Sequence, residues 1–427
     1  MNHASPPPGD ANAVSAAGSP PAPRGRIKRT LRRRGLLPRP RMLRALTRLA
    51  QSLPTRGNRI DLFHDGDALF AAMLADIGRA TQRVWVEMYM FLSDATGWRF
   101  AEALAERARH GVDVRIVYDS LGSFGTSGQM WSRLRAAGAE VLEYRPLAPW
   151  RRRFAIFGRN HRKIVVVDGA IGYTGGANIG NPWISRRRGG QNWRDAHVRV
   201  EGPAAGDLEL LVLDTWYRET GVMPDTGTLG DPQRPMGDRQ RDRGDGDGCQ
   251  VYVIGGGLRG RRIRRLHLLA VGHARRKIRI LCAYFIPDRK FQRALFKARE
   301  RGIEVELLLP RKTDVAITLL ASRGLFARFL RHGIRIFEYC PHILHAKATI
   351  VDGYWTSVGS ANLDSLSFHF NLEANLVILD RETGREFEQR FARDLRRSQE
   401  VDPGQWPLRP LTQKVLERLA LLWGRWL

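Results

Sequence analysis

The sequence NHRKIVVVD at Asn160–Asp168 returns in the second half of the chain as LHAKATIVD at Leu344–Asp352. In both copies a histidine is followed by a lysine two positions later and by an aspartate seven positions later. The residues between lysine and aspartate are apolar and mostly β-branched, which predicts a buried strand. Side chains alternate along a strand, so each histidine shares a face with its lysine while the aspartate faces the other way. The two copies therefore predict two strands, each with a reactive face and an acid on the opposite face.

Matching polar residues follow both strands. The turn GGAN ends at Asn178 in the first copy, and GSAN ends at Asn362 in the second. Farther along, Asp195 and Glu373 each precede a short run that resembles a strand, so they occupy equivalent places in the repeat. A reactive histidine needs an acceptor that fixes its tautomer. Asp195 and Glu373 are therefore the candidates for orienting the two histidines.

The repeat extends far beyond the motifs. HGVDV at 110–114 matches RGIEV at 301–305, and EYRP at 143–146 matches EYCP at 338–341. Predicted strands and helices alternate in the same order around both copies, which indicates one duplicated α/β domain. The predicted fold is α/β, with two similar domains that are each a mixed β-sheet flanked by helices. A pseudo-twofold axis relates them, and the active site lies between them.

Composition divides the chain further. Residues 1–57 are rich in Pro, Ala, Gly and Arg, which predicts a disordered polybasic tail. The two repeated domains are assigned to 58–224 and 250–400. Between them, 225–249 is almost free of apolar residues and is predicted to be a linker.

The last segment, 401–427, is predicted to contain an amphipathic helix. From Leu411 onward, apolar residues including two tryptophans fall along one helical side. Such a stripe fits a helix docked on the protein, and it equally fits a helix in a membrane interface.

The balance of charge points to an acidic partner. The formal net charge is +27, from 70 basic and 43 acidic residues. Nucleic acid and an anionic membrane surface both fit this excess, as does a solvated basic surface. No apolar run reaches the roughly 18 residues that span a bilayer, so a soluble or peripheral protein is expected. The three cysteines show no paired spacing, so neither a disulfide framework nor a zinc site is predicted.

Two histidines with two lysines suit phosphodiester chemistry. Of His161 and His345, one would attack phosphorus and the other would protonate the leaving oxygen. Clusters of acids or histidines that would hold a metal are absent from the sequence pattern, and no cofactor is predicted. The charge of the transition state would be held by the lysines and asparagines of both motifs, Lys163, Lys347, Asn178 and Asn362.

The motif aspartates, Asp168 and Asp352, are also counted among the candidate catalytic residues. Their position on the opposite strand face, however, favours acids that pair with arginine or cap backbone groups. The structure must decide between these two roles.

The duplicated His-x-Lys-x4-Asp motif with its Gly-Gly/Ser-x-Asn turn resembles the phospholipase D superfamily. The resemblance runs from about residue 60 to about residue 395. Within the superfamily the chain is similar to bacterial cardiolipin synthases of the short type that lacks N-terminal transmembrane segments. The segments that carry this similarity are NHRKIVVVDG at 160–169, WRDAHVRVEGP at 193–203, YFIP at 284–287 and NLEANLV at 371–377.

The resemblance implies a two-step phosphatidyl transfer. His161 matches the usual nucleophile and would form a phosphatidyl-histidine, while His345 would act as acid and then as base. The acceptor would be phosphatidylglycerol, and glycerol would leave if phosphatidylglycerol is also the donor. The expected partner is an anionic phospholipid membrane, with no specific nucleic acid. The expected location is peripheral, on the cytoplasmic side of the inner membrane. A monomer would suffice, because the site is built from both halves.

Two other functions are compatible with the sequence. A hydrolase of the same superfamily would cleave phospholipid or nucleic acid. A binding protein that keeps the fold without activity would not need two complete His-Lys pairs. The pseudo-symmetry of the motifs also allows the two histidines to exchange roles.

Overall fold

The computed structural model describes residues 40–50, 54–148, 150, 155, 158–224, 249–256 and 261–423. Arg44–Leu427 forms one unit by its internal contacts, and both motifs lie within it; Met1–Leu43 forms another. The predicted linker lies outside the described residues except for Cys249, and the predicted tail lies outside them up to residue 39.

Strands and helices alternate through the first half of the chain. In chain order they are α1 (Pro40–Ala50), β1 (Thr55–Phe63), α2 (Gly66–Gly78), β2 (Arg83–Met88), α3 (Ala95–Arg109), β3 (Asp113–Asp119), α4 (Gly128–Ala136), β4 (Glu140–Tyr144), β5 (Lys163–Val167), β6 (Ile171–Gly175), β7 (His197–Glu201) and α5 (Pro203–Thr220). Two 3₁₀ turns, Asn181–Trp183 and Arg186–Arg188, lie between β6 and β7.

The second half follows the same order. Its elements are β8 (Cys249–Gly256), α6 (Arg262–His273), β9 (Lys277–Cys282), α7 (Arg289–Glu300), β10 (Glu304–Pro310), α8 (Ala316–Arg331), β11 (Arg335–Tyr339), β12 (Lys347–Val351), β13 (Trp355–Gly359), α9 (Ser365–His369), β14 (Glu373–Leu379), α10 (Arg381–Leu395), β15 (Ser398–Glu400) and α11 (Leu411–Trp423).

The described strands form one sheet that is symmetric about its centre. From the junction outward, the first half runs β1-β7-β6-β5-β2-β3-β4, and the second runs β8-β14-β13-β12-β9-β10-β11 before β15 at the edge. β1 and β8 join the halves as an antiparallel pair, with Asn58 opposite Cys249. This order confirms the predicted pair of mixed α/β domains. It also shows that the two sheets meet edge to edge and continue as one.

The motif strands β5 and β12 lie inside this sheet. Every residue of both strands is buried. β5 runs antiparallel to β2 and β6, and β12 runs antiparallel to β9 and β13. Apart from the lysine that begins each strand and Thr349 in β12, the strand sequences are apolar instead of alternating, as is typical of strands that are buried on both faces.

A tight turn within a three-residue connection ends each motif strand. Its central residues are Asp168 and Gly169 after β5, with φ of 51° and 66°, and Asp352 and Gly353 after β12, with φ of 56° and 60°. Positive φ at both central residues is the type I′ hairpin turn, which favours an Asp-Gly pair. The motif aspartates therefore belong to the turns that set the register of the two hairpins.

The segment that was predicted to be a disordered tail contains a helix and the start of a strand. The tail was expected to extend to residue 57, but α1 covers Pro40–Ala50 and β1 begins at Thr55. In α1, Leu46 is fully buried, and Thr55 pairs with Val251 of β8. A shortage of acidic residues suggested disorder, but it does not prevent an amphipathic helix from burying its apolar face.

The C-terminal helix α11 packs along α8. Glu417 and Ala420 are buried on the docked side, and a Cβ on Gly324 of α8 would lie 2.9 Å from the Glu417 carbonyl oxygen. The outward side is apolar and exposed, with Leu411 and Leu422 at 71% and 70%. The helix is docked, as one of the two predicted interpretations required, and it still presents an apolar face to solvent. Of the helices that the structure describes, none combines the length and apolar character needed to cross a bilayer.

Candidate active site

The two motif histidines lie just before β5 and β12, at the ends where these strands begin. Lys163 pairs with Met88 at the end of β2, and Lys347 pairs with Cys282 at the end of β9. β5 runs antiparallel to β2, and β12 runs antiparallel to β9. Each motif histidine, which precedes its strand, therefore lies beside the C-terminal end of the neighbouring strand.

Backbone hydrogen bonds join the two halves at these strand ends. The amide of His161 donates to the carbonyl of Leu372 at 2.9 Å, and the amide of His345 donates to the carbonyl of Arg194 at 2.8 Å. Leu372 immediately precedes Glu373, and Arg194 immediately precedes Asp195. Each motif histidine is therefore tied by its backbone to the acid-bearing segment of the other half.

Glu373 of the second half holds His161 of the first. Nδ1 of His161 lies 3.1 Å from both Glu373 carboxylate oxygens, and the Tyr89 ring meets the imidazole edge to face at 4.9 Å. Burial lowers the pKa of His161 to about 4, although Glu373 acts in the opposite direction. Burial would raise the pKa of Glu373, but His161 and Lys163 offset it and the net shift is downward. The imidazole is thus neutral at pH 7, with Nδ1 facing the carboxylate and Nε2 left for substrate.

Asp195 of the first half holds His345 of the second in the same way. Nδ1 of His345 lies 2.7 Å from Oδ2 of Asp195, and the indole Nε1 of Trp183 donates to the same oxygen at 2.9 Å. Burial and then Lys347 lower the pKa of His345, against the effect of Asp195. The predicted orienting acids are therefore in place, and each one serves the histidine of the opposite half.

Both motif lysines are buried beside their histidines. Nζ of Lys163 donates to the His161 carbonyl at 2.7 Å and lies 4.9 Å above the Tyr89 ring. Nζ of Lys347 lies 3.0 Å from both ring nitrogens of His345 and also donates to its carbonyl. Burial lowers the pKa of both ammonium groups. The two lysine side chains thus lie directly beside the two motif histidines.

The predicted asparagines are buried close to the motif strands. Oδ1 of Asn178 accepts from the amide of Met90 at 3.1 Å, which ties the turn after β6 to the segment after β2. Oδ1 of Asn362 is buried and has no hydrogen-bond partner among the described residues. Asn178 is thus partly structural, while Asn362 keeps a polar group for another partner.

Asp168 and Asp352 do not join the site. Asp168 accepts from the amides of Thr81, Gln82 and Arg83 at 2.9 Å, and Asp352 likewise accepts from three consecutive amides before and within β9. Each is separated from its histidine by the whole strand, about 20 Å at strand rise. These contacts support the capping role that the strand face suggested, and they give no support to a catalytic role.

The sequence reasoning missed the residues that pack around the histidines. Trp193 and Tyr284 flank the His345 ring at 5.5 and 6.3 Å. Ser360, in the GSAN turn, hydrogen-bonds the Glu373 carboxylate. Its counterpart Gly176 has no room for a side chain, because a Cβ there would lie 2.1 Å from Asp195. The one residue that differs between GGAN and GSAN could have indicated this contact. Glycine stands beside the shorter acid, Asp195, and serine stands beside the longer acid, Glu373.

Among the residues that the structure describes, no group of three or more His, Cys, Asp or Glu side chains is placed to hold a metal ion. The site instead presents two imidazoles, two carboxylates and two ammonium groups. Such a set can supply a nucleophile, an acid–base pair and cations for a phosphoryl group.

Comparison with known proteins agrees with this geometry. The family described as "Cardiolipin synthase, PLD-like domain" matches residues 73–188 and 268–395. The cardiolipin synthase of Geobacillus kaustophilus is 33% identical over 384 residues, covering 89% of this chain and 75% of that protein. Cardiolipin synthase 2 of Bacillus cereus is 34% identical over 358 residues, covering 83% and 68%.

The solved structures add a likeness of fold. Phosphatidylserine synthase of Haemophilus influenzae superposes with a TM-score of 0.66 at 16% identity, covering 90% of this chain and 97% of that chain. At this identity the likeness concerns the architecture of two joined domains.

Proposed function

The chain belongs to the cardiolipin synthase family of phospholipase D-like proteins, and we propose that it transfers a phosphatidyl group between phospholipids to make cardiolipin. One observation carries the mechanism. Each motif histidine has its Nδ1 held by an acid of the other half, which directs its Nε2 away from that acid. Neither half alone contains both the histidine and its acid.

The first step forms a covalent intermediate. Nε2 of His161 attacks the phosphorus of a donor phosphatidylglycerol, and the bond from phosphorus to the glycerol headgroup breaks. His345 gives a proton to the departing glycerol oxygen. Lys163 and Lys347 stabilise the negative charge that builds on the nonbridging oxygens.

The second step reverses the proton transfer. A hydroxyl of the acceptor phosphatidylglycerol gives its proton to His345, and its oxygen displaces Nε2 of His161 from phosphorus. Cardiolipin leaves and His161 is regenerated. The same acid and base thus serve both steps, and water in place of the acceptor would give phosphatidic acid.

The lysines favour this assignment of roles. Nζ of Lys347 lies against both ring nitrogens of His345, whereas Lys163 is directed to the His161 carbonyl and the Tyr89 ring. A nitrogen beside an ammonium group is a poorer nucleophile, and its protonated form is a better acid. When a phosphodiester anion enters, its charge favours protonation of His345 and so prepares the acid.

A peripheral position on the cytoplasmic side of the inner membrane suits this function. The net charge of +27 supports attraction to anionic phospholipids such as phosphatidylglycerol and cardiolipin. The exposed apolar side of α11 supports contact with a membrane interface. A monomer suffices, because both halves of the site lie in one chain, and no specific nucleic acid is required.

The test is lipid product analysis with purified protein. Vesicles of phosphatidylglycerol are expected to yield cardiolipin and free glycerol in equal amounts. Phosphatidic acid as the only product would indicate a phospholipase. Cleavage of DNA without lipid turnover would contradict the lipid assignment.

A further inference from the structure

Four apolar side chains are exposed in the loops that follow β3 and β10. Leu121 and Phe124 after β3 are 43% and 79% exposed, and Val315 and Ile317, after β10 and at the start of α8, are each 37% exposed. β3 and β10 occupy equivalent places in the sheet, so these loops are equivalent parts of the repeat. We call the four side chains the apolar rim. Exposed apolar groups that cluster beside a functional site commonly mark contact with another surface.

The first loop is bonded to the residues around His161. Oγ of Ser123 donates to the carbonyl of Tyr89 at 3.1 Å, and the Tyr89 ring meets the imidazole of His161. β2 and β3 are parallel and end at the same edge of the sheet, where β5 begins. The exposed side chains of this loop therefore stand at the edge that carries the site.

The second loop has the same relation to His345. The carboxylate of Asp314 accepts from the Tyr284 hydroxyl at 2.8 Å, and the Tyr284 ring meets the His345 imidazole at 6.3 Å. Val315 directly follows Asp314. Each half thus links one histidine, through one tyrosine, to a loop with exposed apolar side chains.

Exposed cations accompany the second loop and the segment that carries Trp183. The 3₁₀ turn Arg186–Arg188 is exposed and follows Trp183, whose ring lies 5.7 Å from that of His345. Arg311 and Lys312 are exposed between β10 and the rim. Apolar side chains flanked by cations form the pattern by which peripheral proteins enter the surface of an anionic bilayer.

We propose that the apolar rim inserts into the acyl-chain boundary of an anionic bilayer, with the exposed cations at headgroup level. This rests on the proposed function, because a lipid phosphate must reach the histidines while its acyl chains remain in the bilayer. Insertion at both loops holds the open edge of the site at headgroup depth. A nucleic acid would pair with the cations but would leave the four apolar side chains in water.

Site-directed labelling tests the insertion without requiring turnover. A polarity-sensitive NBD fluorophore is attached through Phe124→Cys or Ile317→Cys in a Cys340→Ser background, since Cys249 and Cys282 are buried. The matched control is Leu210→Cys on α5, where Leu210 is 43% exposed, as Leu121 is. On addition of vesicles that contain phosphatidylglycerol, emission from positions 124 and 317 is expected to rise and shift to the blue, while emission from 210 stays constant. Phe124→Asp should weaken vesicle binding about tenfold or more.

The outcomes separate this proposal from the proposed function. Labels at 124 and 317 that stay water-like, whether or not the protein floats with the vesicles, would overturn the insertion. A blue shift that depends on protein concentration without vesicles would assign the rim to a second copy of the chain, and would also overturn it. Insertion with no cardiolipin formed would contradict the function and leave the surface supported. Cardiolipin formed with no insertion would contradict the insertion and leave the function supported.

Discussion

Nδ1 of His345 lies 2.7 Å from Oδ2 of Asp195, an acid that belongs to the other half of the chain. Glu373 and His161 form the reciprocal pair. An acid that fixes an imidazole tautomer acts through that imidazole, so the function of each motif depends on the other domain. The two copies of the domain therefore form one catalytic unit together.

Asp195→Asn and Glu373→Gln should each reduce turnover strongly. An amide can offer its NH₂ group to the imidazole and stabilise the wrong tautomer. We expect losses in kcat on the order of 10²–10⁴-fold, the usual range for general acid–base catalysis. Initial rates with phosphatidylglycerol vesicles measure the effect, and circular dichroism checks that each variant is folded. A folded variant with full activity would remove the acid from the mechanism.

Trp183→Phe should change the pH profile and leave the fold intact. The substitution keeps the buried ring but removes the N–H that donates to Oδ2 of Asp195. Asp195 then attracts a proton on His345 more strongly, so the pKa of His345 rises and the corresponding limb of the kcat profile moves to higher pH. The loss of one hydrogen bond to a charged group predicts about a tenfold lower rate near neutral pH.

Trp193→Phe is the matched control for that variant. Its ring also flanks His345, but its Nε1 donates to Gln191 and not to Asp195. The control should keep the wild-type pH profile. Identical shifts in both variants would show that ring packing, and not the Asp195 hydrogen bond, is responsible.

Asp168→Ala and Asp352→Ala should lower stability and not catalysis. Each loses an acceptor for three backbone amides, which predicts a loss of about 1 kcal/mol in the free energy of unfolding. Denaturant titration measures this loss, and turnover is compared at a temperature where all variants are folded. Abolished turnover with unchanged stability would restore these aspartates to the catalytic set.

The protein should lose stability as the pH falls below about 6.5, the pKa of an ordinary histidine. Burial lowers the pKa of His161 and His267 to about 4 and that of His197 to about 3. The unfolded chain then binds protons that the folded chain excludes, so unfolding is favoured progressively between pH 6.5 and 4. Each of these histidines contributes up to about 3 kcal/mol to this loss. Urea titrations at pH 7 and pH 4.5 measure it.

His267→Phe isolates one part of this dependence. His267 packs against Phe291 and against Trp355 at the start of β13, so its removal should make the loss of stability less steep. Equal slopes for wild type and His267→Phe would contradict the assignment.

Much of the fold could be predicted from the sequence because each strand and helix of the repeat is predicted twice, once in each half. HGVDV and RGIEV each begin a strand, β3 and β10, at equivalent places in the sheet. The edge-to-edge junction of the sheets could not be predicted, because nothing in the sequences of β1 and β8 indicates that these two strands pair. The helix and strand within residues 40–57 were missed, since Leu46 and Thr55 are held by contacts that composition does not report.

The sequence indicated the histidines, lysines and orienting acids that the structure brings together, but not how they pair across the two halves. Spacing placed each His and Lys on one strand face and found Asp195 and Glu373 as the orienting acids. That each acid crosses to the other half depends on the backbone bonds of Leu372 and Arg194, which only the three-dimensional structure provides. Trp183 was missed because nothing in the sequence indicates that an indole N–H shares a carboxylate oxygen.

The most direct test of the mechanism is to trap the covalent intermediate. Protein mixed with phosphatidylglycerol labelled at phosphorus is quenched within one turnover, and the adduct is located by mass spectrometry of its peptides. The mechanism predicts an acid-labile phosphatidyl adduct on Nε2 of His161, which disappears when acceptor is added and is absent from His161→Ala. An adduct on His345, or turnover to cardiolipin with no adduct on either histidine, would contradict it.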